Sequence, residues 1–336
     1  MIDVSIVIVG WNVRDLLRNC LDSVYKQTEG IRYEVIYVDN ASHDESIEMV
    51  KESFPETIII TNTTNQGFVK ANNQGFEIAK GRYVLLLNSD TIILDNAIAK
   101  TVAFADSHTE AAAVGCKVLN PDGTPQAITC FMFPSVLNLL LSSTYLYKIF
   151  PKSKFFGREL MTWWDKNEVR EVDAVAGCYM LVRKEAIDQI GVLDQRYFIY
   201  AEETDWCYRL QEKGWKVLFT PESEIIHYGG QTTKQIAAKF RLQLSGSILI
   251  FMKLHRSKLS FLFARILIAL FFFLRIPLWL AKTLVGKSSY KESIATVKTY
   301  LLGGFYCLTN WKKLLINKEV LNEETFEKKT VPIASK

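Results

Sequence analysis

The sequence predicts an α/β fold: a mostly parallel β-sheet with helices on both faces, followed by a helical, partly hydrophobic C-terminal region. Three observations predict it. Over the first 120 residues, short apolar runs alternate with stretches of helical periodicity, which is the pattern of successive βαβ units. The runs are nearly continuous in apolar residues, as in "RYVLLLNSDT" (82–91), and strands covered on both faces read that way. Beyond residue 231 the chain turns to long helical stretches, one of them strongly apolar.

The elements follow in order. Residues 4–9 form an apolar run ending at Gly10, and 14–27 place Leu16, Leu17, Cys20, Leu21 and Val24 on one helical face. A second strand is expected over 33–38, a short helix over 46–54 and a third strand over 57–60. Residues 68–80 carry Phe68, Ala71, Gly75 and Ala79 along a helical stripe; 83–87 make a fourth strand and 95–105 another helix. Each strand ends in polar residues: Trp11–Asn12, Asp39–Asn40, Thr61–Asn62 and Asn88–Asp90. Four such clusters on one sheet edge make a crevice, and the carboxyl edge is where open α/β sheets bind ligands.

The pattern then loosens. Residues 113–119 read as a strand and "NPDGT" (120–124) as a turn with a hairpin signal. The stretch 135–150 is apolar. Strands are expected over 172–182 and 216–219, with 225–227 leading into "HYGG", and a helix over 204–213 closes at Gly214. A helical pattern runs from 231 to about 256, followed by the apolar segment 259–286 and a charged tail.

Composition excludes several classes. Hydrophobic residues make up 49% and charged residues 23% of the 336, as in a globular protein. A net charge of +4, with no basic stripe interleaved with aromatics, argues against a nucleic-acid partner. The six cysteines are scattered without a CxxC pair and read as buried hydrophobes in a reducing compartment. The N-terminus lacks a basic region before its apolar run, so no signal peptide is expected and the catalytic part is placed in the cytosol. No G-x-G-x-x-G follows the first strand and no GxxxxGK[ST] occurs, which speaks against a dinucleotide enzyme or a P-loop ATPase.

Asp39, at a strand end, either accepts a hydrogen bond from a nucleobase or ribose or belongs to a helix start at which Ser42 and Asp44 cap free N–H groups. Val9 and Asn12 close the first strand on the same expected crevice. Around Gly67, Asn65 reads as turn chemistry or a ligand contact. Asn72 lies beside the apolar stripe, where an unpaired amide costs about 1–3 kcal/mol, so it should bond backbone or ligand. In Asn88-Ser89-Asp90, a strand-end carboxylate suits a divalent cation, Mg²⁺ or Mn²⁺, that takes its other ligands from water and a diphosphate. Glu202, Glu203 and Asp205 crowd a helix start, either complementing its dipole or supplying a general base. His227 is either a core histidine or a ligand beside Asp90. Trp163, Trp164, Gly177 and Cys178 are acceptor-pocket candidates, with a core reading equally open for the tryptophans.

Seven stretches, "SIVIVGWN", "YVDNASHDES", "NQGFVKANNQG", "LLLNSD", "GCYMLVRKEA", "YAEETDWCYRL" and "HYGG", occur in order over residues 3–230 and resemble the motifs of glycosyltransferase family 2, of the Rossmann-like GT-A fold. The likeness is greatest to its rhamnosyltransferase-like and galactofuranosyltransferase-like branch. The resemblance implies an inverting transferase that uses a nucleoside-diphosphate sugar, with Asp39 and its neighbours on the nucleotide. It maps the D-x-D metal motif onto Asn88-Ser89-Asp90, where Asn replaces the first acid and leaves Asp90 as the principal carboxylate. It implies that His227 completes the metal site, and that Glu203, where the family has Asp, is the base, with Glu202 and Asp205 as alternatives.

The resulting expectation is a catalytic domain over 1–230, with a nucleotide-sugar half (1–120) and an acceptor half (121–230), and a helical region over 231–336. Residues 260–274 fall short of a span, Arg265 and Arg275 interrupt the segment, Pro277 kinks it, and basic residues flank both ends. The favoured reading is a helix lying in the interface of an anionic membrane; a span and a dimer or core helix are the alternatives. The expected activity is transfer to a lipid-linked glycan or polysaccharide acceptor at the cytoplasmic face of the cell membrane, as a peripheral or monotopic protein. dTDP-L-rhamnose is the first donor choice and UDP-galactose or UDP-N-acetylglucosamine the second. The rivals are a nucleotidyltransferase, which would carry a glycine-rich loop after its first strand, and an inactive glycan-binding scaffold. A homodimer is left open.

Overall fold

The structure, a computed structural model, describes residues 1–229, 237–285 and 289–315. The chain begins β1 (Val4–Gly10), α1 (Arg14–Gln27), β2 (Tyr33–Asp39), α2 (Ser46–Ser53), β3 (Ile58–Thr61), α3 (Phe68–Ile78) and β4 (Tyr83–Asn88). This is the expected alternation, with ends shifted by a residue or two. It continues with β5 (Thr91–Ile93), α4 (Ala97–Ser107), β6 (Ala111–Leu119), β7 (Cys130–Phe131), α5 (Val136–Thr144) and α6 (Leu146–Ile149). Then come β8 (Arg170–Glu171), β9 (Ala174–Val175), β10 (Tyr179–Arg183), α7 (Lys184–Ile190), α8 (Glu202–Glu212) and β11 (Lys216–His227). The helices α9 (Ala237–His255), α10 (Lys258–Phe273), α11 (Ile276–Leu284) and α12 (Tyr290–Leu308) precede a 3-10 turn, Trp311–Leu314.

The main sheet has the order β3-β2-β1-β4-β10-β6-β11-β5, with β8 also on β11 and a separate β7–β9 pair. β1, β2, β3 and β4 run parallel, as do β6 and β11; β10 runs antiparallel to β4 and β6, and β5 to β11. The parallel strands therefore end at one edge, and the reversed strands β10 and β5 begin there. The register fixes the rows: Gly10 opposes Asp39 and Asp39 opposes Thr61, Val9 opposes Asn88, and His227 opposes Thr91. Both faces are covered. Val4, Ile6 and Ile8 pack toward α1, α2 and α4, whereas Val7 and Val9 pack toward α3, α7 and α8.

Several elements differ from expectation. The strand expected over 172–182 breaks at Gly177–Cys178 into β9 and β10, because the chain turns there to reverse beside β4. The two segments expected at 216–219 and 225–227 are one strand whose register to β6 shifts between Thr220 and Glu224, a bulge that keeps both ends paired. β5 and α7 are too short for periodicity to reveal. "NPDGT" does turn tightly, with Gly123 N–H on Asn120 O and Asn120 N–H on Thr124 O. The helix expected from 231 is described from Ala237; Gly230, Gly286 and Lys287 lie outside the described residues.

A third apolar cluster joins α5, α9, α10 and α12 through Leu139, Leu249, Phe251, Ala264, Ile268, Phe272 and Tyr300. Here one expectation is corrected. By length and composition Lys258–Leu284 is long and apolar enough to cross a membrane, so the segment does not fall short. Counting Arg265 and Arg275 as interruptions misled, because both guanidinium groups turn inward. Arg265 donates to the carbonyls of Cys307 and Leu308 at the end of α12, both at 2.6 Å. Arg275, 8% exposed, donates to Phe271 O (3.0 Å) and to Ser143 O (3.1 Å) in α5. Each cation meets helix-terminal carbonyls that lack intrahelical partners. The outward face stays apolar: Leu259, Leu262, Phe263, Ile266 and Leu270 are exposed, as are Leu278, Leu280 and Leu284.

Candidate active site

At the carboxyl edge the first loops are stitched together by short polar side chains. Asn12, in the left-handed region (φ 54°), accepts from His43 N–H at 2.8 Å, and Ser42 Oγ accepts from Asn12 N–H at 3.1 Å. Asp39 is wholly buried: Tyr37 O–H donates to one oxygen (2.8 Å) and Ser42 N–H to the other (2.9 Å). Ser42 therefore does not cap α2. Asp44 serves two helix starts, accepting from Ser46 N–H (3.3 Å) and Arg14 N–H (2.8 Å). Asn65 accepts from Gly67 N–H (2.9 Å) and from the Asn40 amide (2.8 Å), and the Asn40 oxygen accepts from Gln66 N–H (2.8 Å). Asn40 thus ties β2 to the entry of α3, a role its position alone did not signal. Val9 is buried beside Asn88. Asn72 donates to Phe68 O one turn back (2.8 Å), while its own oxygen is buried without a partner.

Asp90 and His227 meet at the end of β4 and β11. His227 Nε2 lies 3.2 Å from Asp90 Oδ1 and 3.4 Å from Asn88 Nδ2. Their side chains are 17% and 16% exposed, so the pair faces the crevice from a largely enclosed position. Ser89 sits half-buried in the turn between β4 and β5. Burial opposes a charged imidazole, yet the adjacent Cys178 sulfur and Asp90 carboxylate lift the His227 pKa to about 10. Gln126 braces the ring, with its oxygen 3.2 Å from Nδ1 and its amide donating to His227 O. The buried Lys166 ammonium in turn holds the Ala127 carbonyl at 2.9 Å. A cation would have to displace the Nε2 proton that faces Asp90; with Nδ1–H donated to the Gln126 oxygen, the Nε2 lone pair would then be the one that ligates. Gln126 escaped sequence reasoning because nothing local marks it.

These residues fit a divalent cation in a particular way. Among the described residues no three His, Cys, Asp or Glu side chains form a cage. One carboxylate, one imidazole and the buried, unpartnered Asn88 Oδ1 are a sparse donor set. Such a set suits Mg²⁺ or Mn²⁺ completed by phosphate oxygens and water.

At the start of α8, Glu203 packs against Gly177, the residue that precedes Cys178. A Cβ built on Gly177 would lie 3.4 Å from Glu203 Cβ, an ordinary van der Waals contact, so the two residues are direct neighbours. Cys178, the next residue, is buried; its carbonyl receives Asn88 N–H (3.0 Å) and its sulfur lies against His227. Burial drives the Glu203 pKa up to about 7. It drives Glu202 well above the carboxylate range, with the Glu203 charge adding to the effect, and Glu202 Oε2 has no partner. Asp205, offered by the sequence as a third base, is wholly buried and committed: Arg209 Nε and His255 Nε2 each donate to it at 2.7 Å. That leaves Glu202 and Glu203 as the carboxylates free to take a proton.

Of the aromatic candidates, Trp164 is core, 7% exposed and edge-on to Phe219 at 5.1 Å. Trp163 is half-buried under Lys154 and Arg170, each 5.0 Å from its ring.

The glycosyl transferase family 2 model matches residues 5–191. An O-antigen biosynthesis protein RfbC of Myxococcus xanthus is 26% identical over 67% of this chain and 17% of its own length. A poly(ribitol-phosphate) beta-glucosyltransferase of Bacillus spizizenii is 32% identical over 45% of this chain and 25% of its own. An N-acetylglucosaminyl-diphospho-decaprenol L-rhamnosyltransferase of Mycobacterium tuberculosis is 25% identical over 59% of this chain and 67% of its own. The chain thus aligns with a quarter or less of the length of the first two relatives. Two solved structures share the fold. The mannosyltransferase PcManGT of Pyrobaculum calidifontis, in complex with GDP-Man and Mn²⁺, has TM-score 0.54 at 14% identity, covering 91% of this chain and 86% of that one. GalNAc-T7, with UDP, GalNAc and Mn²⁺, has TM-score 0.52 at 21% identity, covering 68% and 43%.

Proposed function

The chain belongs to glycosyltransferase family 2, and on that premise we propose that it is an inverting transferase that moves a sugar from a nucleoside diphosphate to a lipid-linked or polysaccharide acceptor in cell-surface glycan synthesis. The observation that carries the reading is the Gly177–Cys178 dipeptide, which has His227, the partner of Asp90, against Cys178 and Glu203 against Gly177. Phosphate chemistry and proton removal are thereby within reach of one sugar. The crevice walls at Val9, Asn12, Asp39, Asn65, Gly67 and Asn72 form the nucleotide side, with Asp39 shaping its loop from within.

Glu203 accepts the proton of the acceptor hydroxyl as that oxygen bonds to the anomeric carbon, while the bond from that carbon to the diphosphate oxygen breaks on the opposite face. A pKa near 7 suits a base at neutral pH, and such a base contributes about 10²–10⁴-fold. Glu202, kept protonated by burial and by the neighbouring charge, leaves the negative charge on Glu203. Asp90, His227 and the Asn88 oxygen would hold a divalent cation. Bound there, it supplies positive charge to the diphosphate leaving group. Gln126 keeps His227 oriented for that task.

The donor proposed first is dTDP-L-rhamnose, with UDP-galactose and UDP-N-acetylglucosamine next, since a rhamnosyltransferase is among the relatives. Two domains, 1–230 and 231–336, remain the proposed division. The exposed apolar face of α10 and α11 is proposed to lie in the surface of an anionic membrane on its cytoplasmic side. The lateral packing of α10 on α5, α9 and α12 supports a seat along the surface, since a span would drag those helices into the bilayer.

The test is a thermal-shift panel of the three nucleotide sugars with and without Mn²⁺, followed by the anomeric configuration of the product. If none raises Tm in Mn²⁺, or if the product retains configuration, the reading fails.

A further inference from the structure

Helix α9 presents one stripe, Gln243, Ser247, Phe251 and His255, at every fourth residue, and the first three are wholly buried. Ser247 O–H donates to the carbonyl of Ile199 at 2.9 Å, and Gln243 Nε2 reaches the same oxygen at 3.3 Å. Phe251 meets Tyr208 of α8 edge-on at 5.5 Å. His255 Nε2 donates to Asp205 Oδ1 at 2.7 Å, while Arg209 occupies the other oxygen. The stripe therefore grips both the entry and the body of α8.

The gripped segment does not hold its own shape. Tyr200 and Ala201, immediately before Glu202, are consecutive left-handed residues with φ 71° and 63°. Each costs about 1–2 kcal/mol for an L-residue, and such a pair persists only where its surroundings over-determine it. The determinants lie on either side. Phe198 O accepts from Phe68 N–H of α3 at 2.9 Å, and Ile199 O is taken by α9. The carboxylates follow within four residues.

We propose that α9 is a positioning element for the reaction: Ser247 and His255 hold the strained entry of α8 so that Glu202 and Glu203 face the Asp90–His227 pair. The C-terminal helices thus complete the catalytic geometry as well as offering an apolar face. This rests on the reading of Glu203 as the base.

The test uses the full chain and the nucleotide sugar that the parent turns over from the panel above. His255→Phe keeps a ring and removes the donor; His255→Gln restores an N–H toward Asp205. His255→Phe is expected to lose about tenfold or more in kcat. KM for the nucleotide sugar and affinity for UDP or dTDP in Mn²⁺ stay at parental values. Backbone amides of 199–205 exchange faster, and His255→Gln recovers most of the loss. Ser247→Ala, which removes one bond to Ile199, shows the same split to a smaller extent and decides the matter should His255→Phe not fold. Parental kcat in the folded variants overturns the proposal, as does a loss shared equally by kcat and nucleotide affinity. Glu203→Gln is measured alongside. If it keeps parental turnover, the base reading falls by itself, and the exchange rates still report whether α9 holds the segment.

Discussion

His227 Nε2 stands 3.2 Å from Asp90 Oδ1 because β5, which begins right after Asp90, pairs antiparallel with the last residues of β11. The pairing of two short strand ends thereby brings the proposed ligand pair together. Asp90→Ala and His227→Ala are each expected to abolish the Mn²⁺-dependent part of the nucleotide-induced rise in Tm while leaving the fold intact. Gln126→Ala, which frees the ring, should weaken Mn²⁺ affinity about 10–100-fold. Calorimetric titration of Mn²⁺ in the presence of UDP checks all three.

Glu203 sets a pH dependence with a definite sign. Its pKa is raised from 4.5 to about 7 by burial, and a base works deprotonated, so turnover should climb as pH rises through about 7. Glu203→Gln should lose about 10²–10⁴-fold in kcat and flatten that limb.

Stability carries the opposite slope. The folded chain holds a proton at Glu203 that the unfolded chain releases near 4.5, so its contribution is full below that value and is lost as pH rises through about 7. Glu203→Gln should accordingly melt higher than the parent above pH 7, and the difference should vanish toward pH 4. Melting curves at matched ionic strength across this window decide it; a variant less stable at high pH contradicts the burial argument.

Gly67 joins the nucleotide side to the carboxylate segment. Its backbone (φ 82°, ψ 167°) lies in a region that essentially only glycine occupies, and an added Cβ would come within 2.5 Å of the Phe198 ring. Gly67→Ala should cost about 1–3 kcal/mol in urea unfolding. It should also reduce turnover more than nucleotide affinity, because Phe198 leads into the strained entry of α8.

Leu262 and Phe263 are 48% and 47% exposed on the outward face of α10. Leu262→Glu with Phe263→Glu should leave Tm nearly unchanged and sharply reduce co-sedimentation with phosphatidylglycerol vesicles. Undiminished binding would remove this face as the membrane contact.

The alternation of β1 to β4 with α1 to α3 was legible residue by residue because βαβ periodicity is local: each strand must bury both faces and each helix one stripe. The polar triplet Asn88-Ser89-Asp90, the acids at the head of α8 and His227 stood out for the same reason, as polar groups where an apolar run stops. What each meets was not legible. The sequence offered three carboxylates at α8, and only the fold commits Asp205 to His255 and Arg209, leaves Glu202 Oε2 without a partner and sets Glu203 against Gly177. Arg265 and Arg275 looked like breaks in an apolar segment until packing turned them onto the carbonyl ends of α12 and α5. Gln126 and Ser247 carry no local mark at all, and Asn40 was marked only as a strand-end polar residue, not as the tie to α3. Hydrophobic patterning is written into neighbouring residues and needs no partner, so the chain by itself determined the layers and the working edge of the sheet. Hydrogen bonds between distant segments depend on strand register, reversal and helix crossing. Those are decided only when the whole core closes, and they selected which polar side chains at that edge are committed to structure and which are left for chemistry.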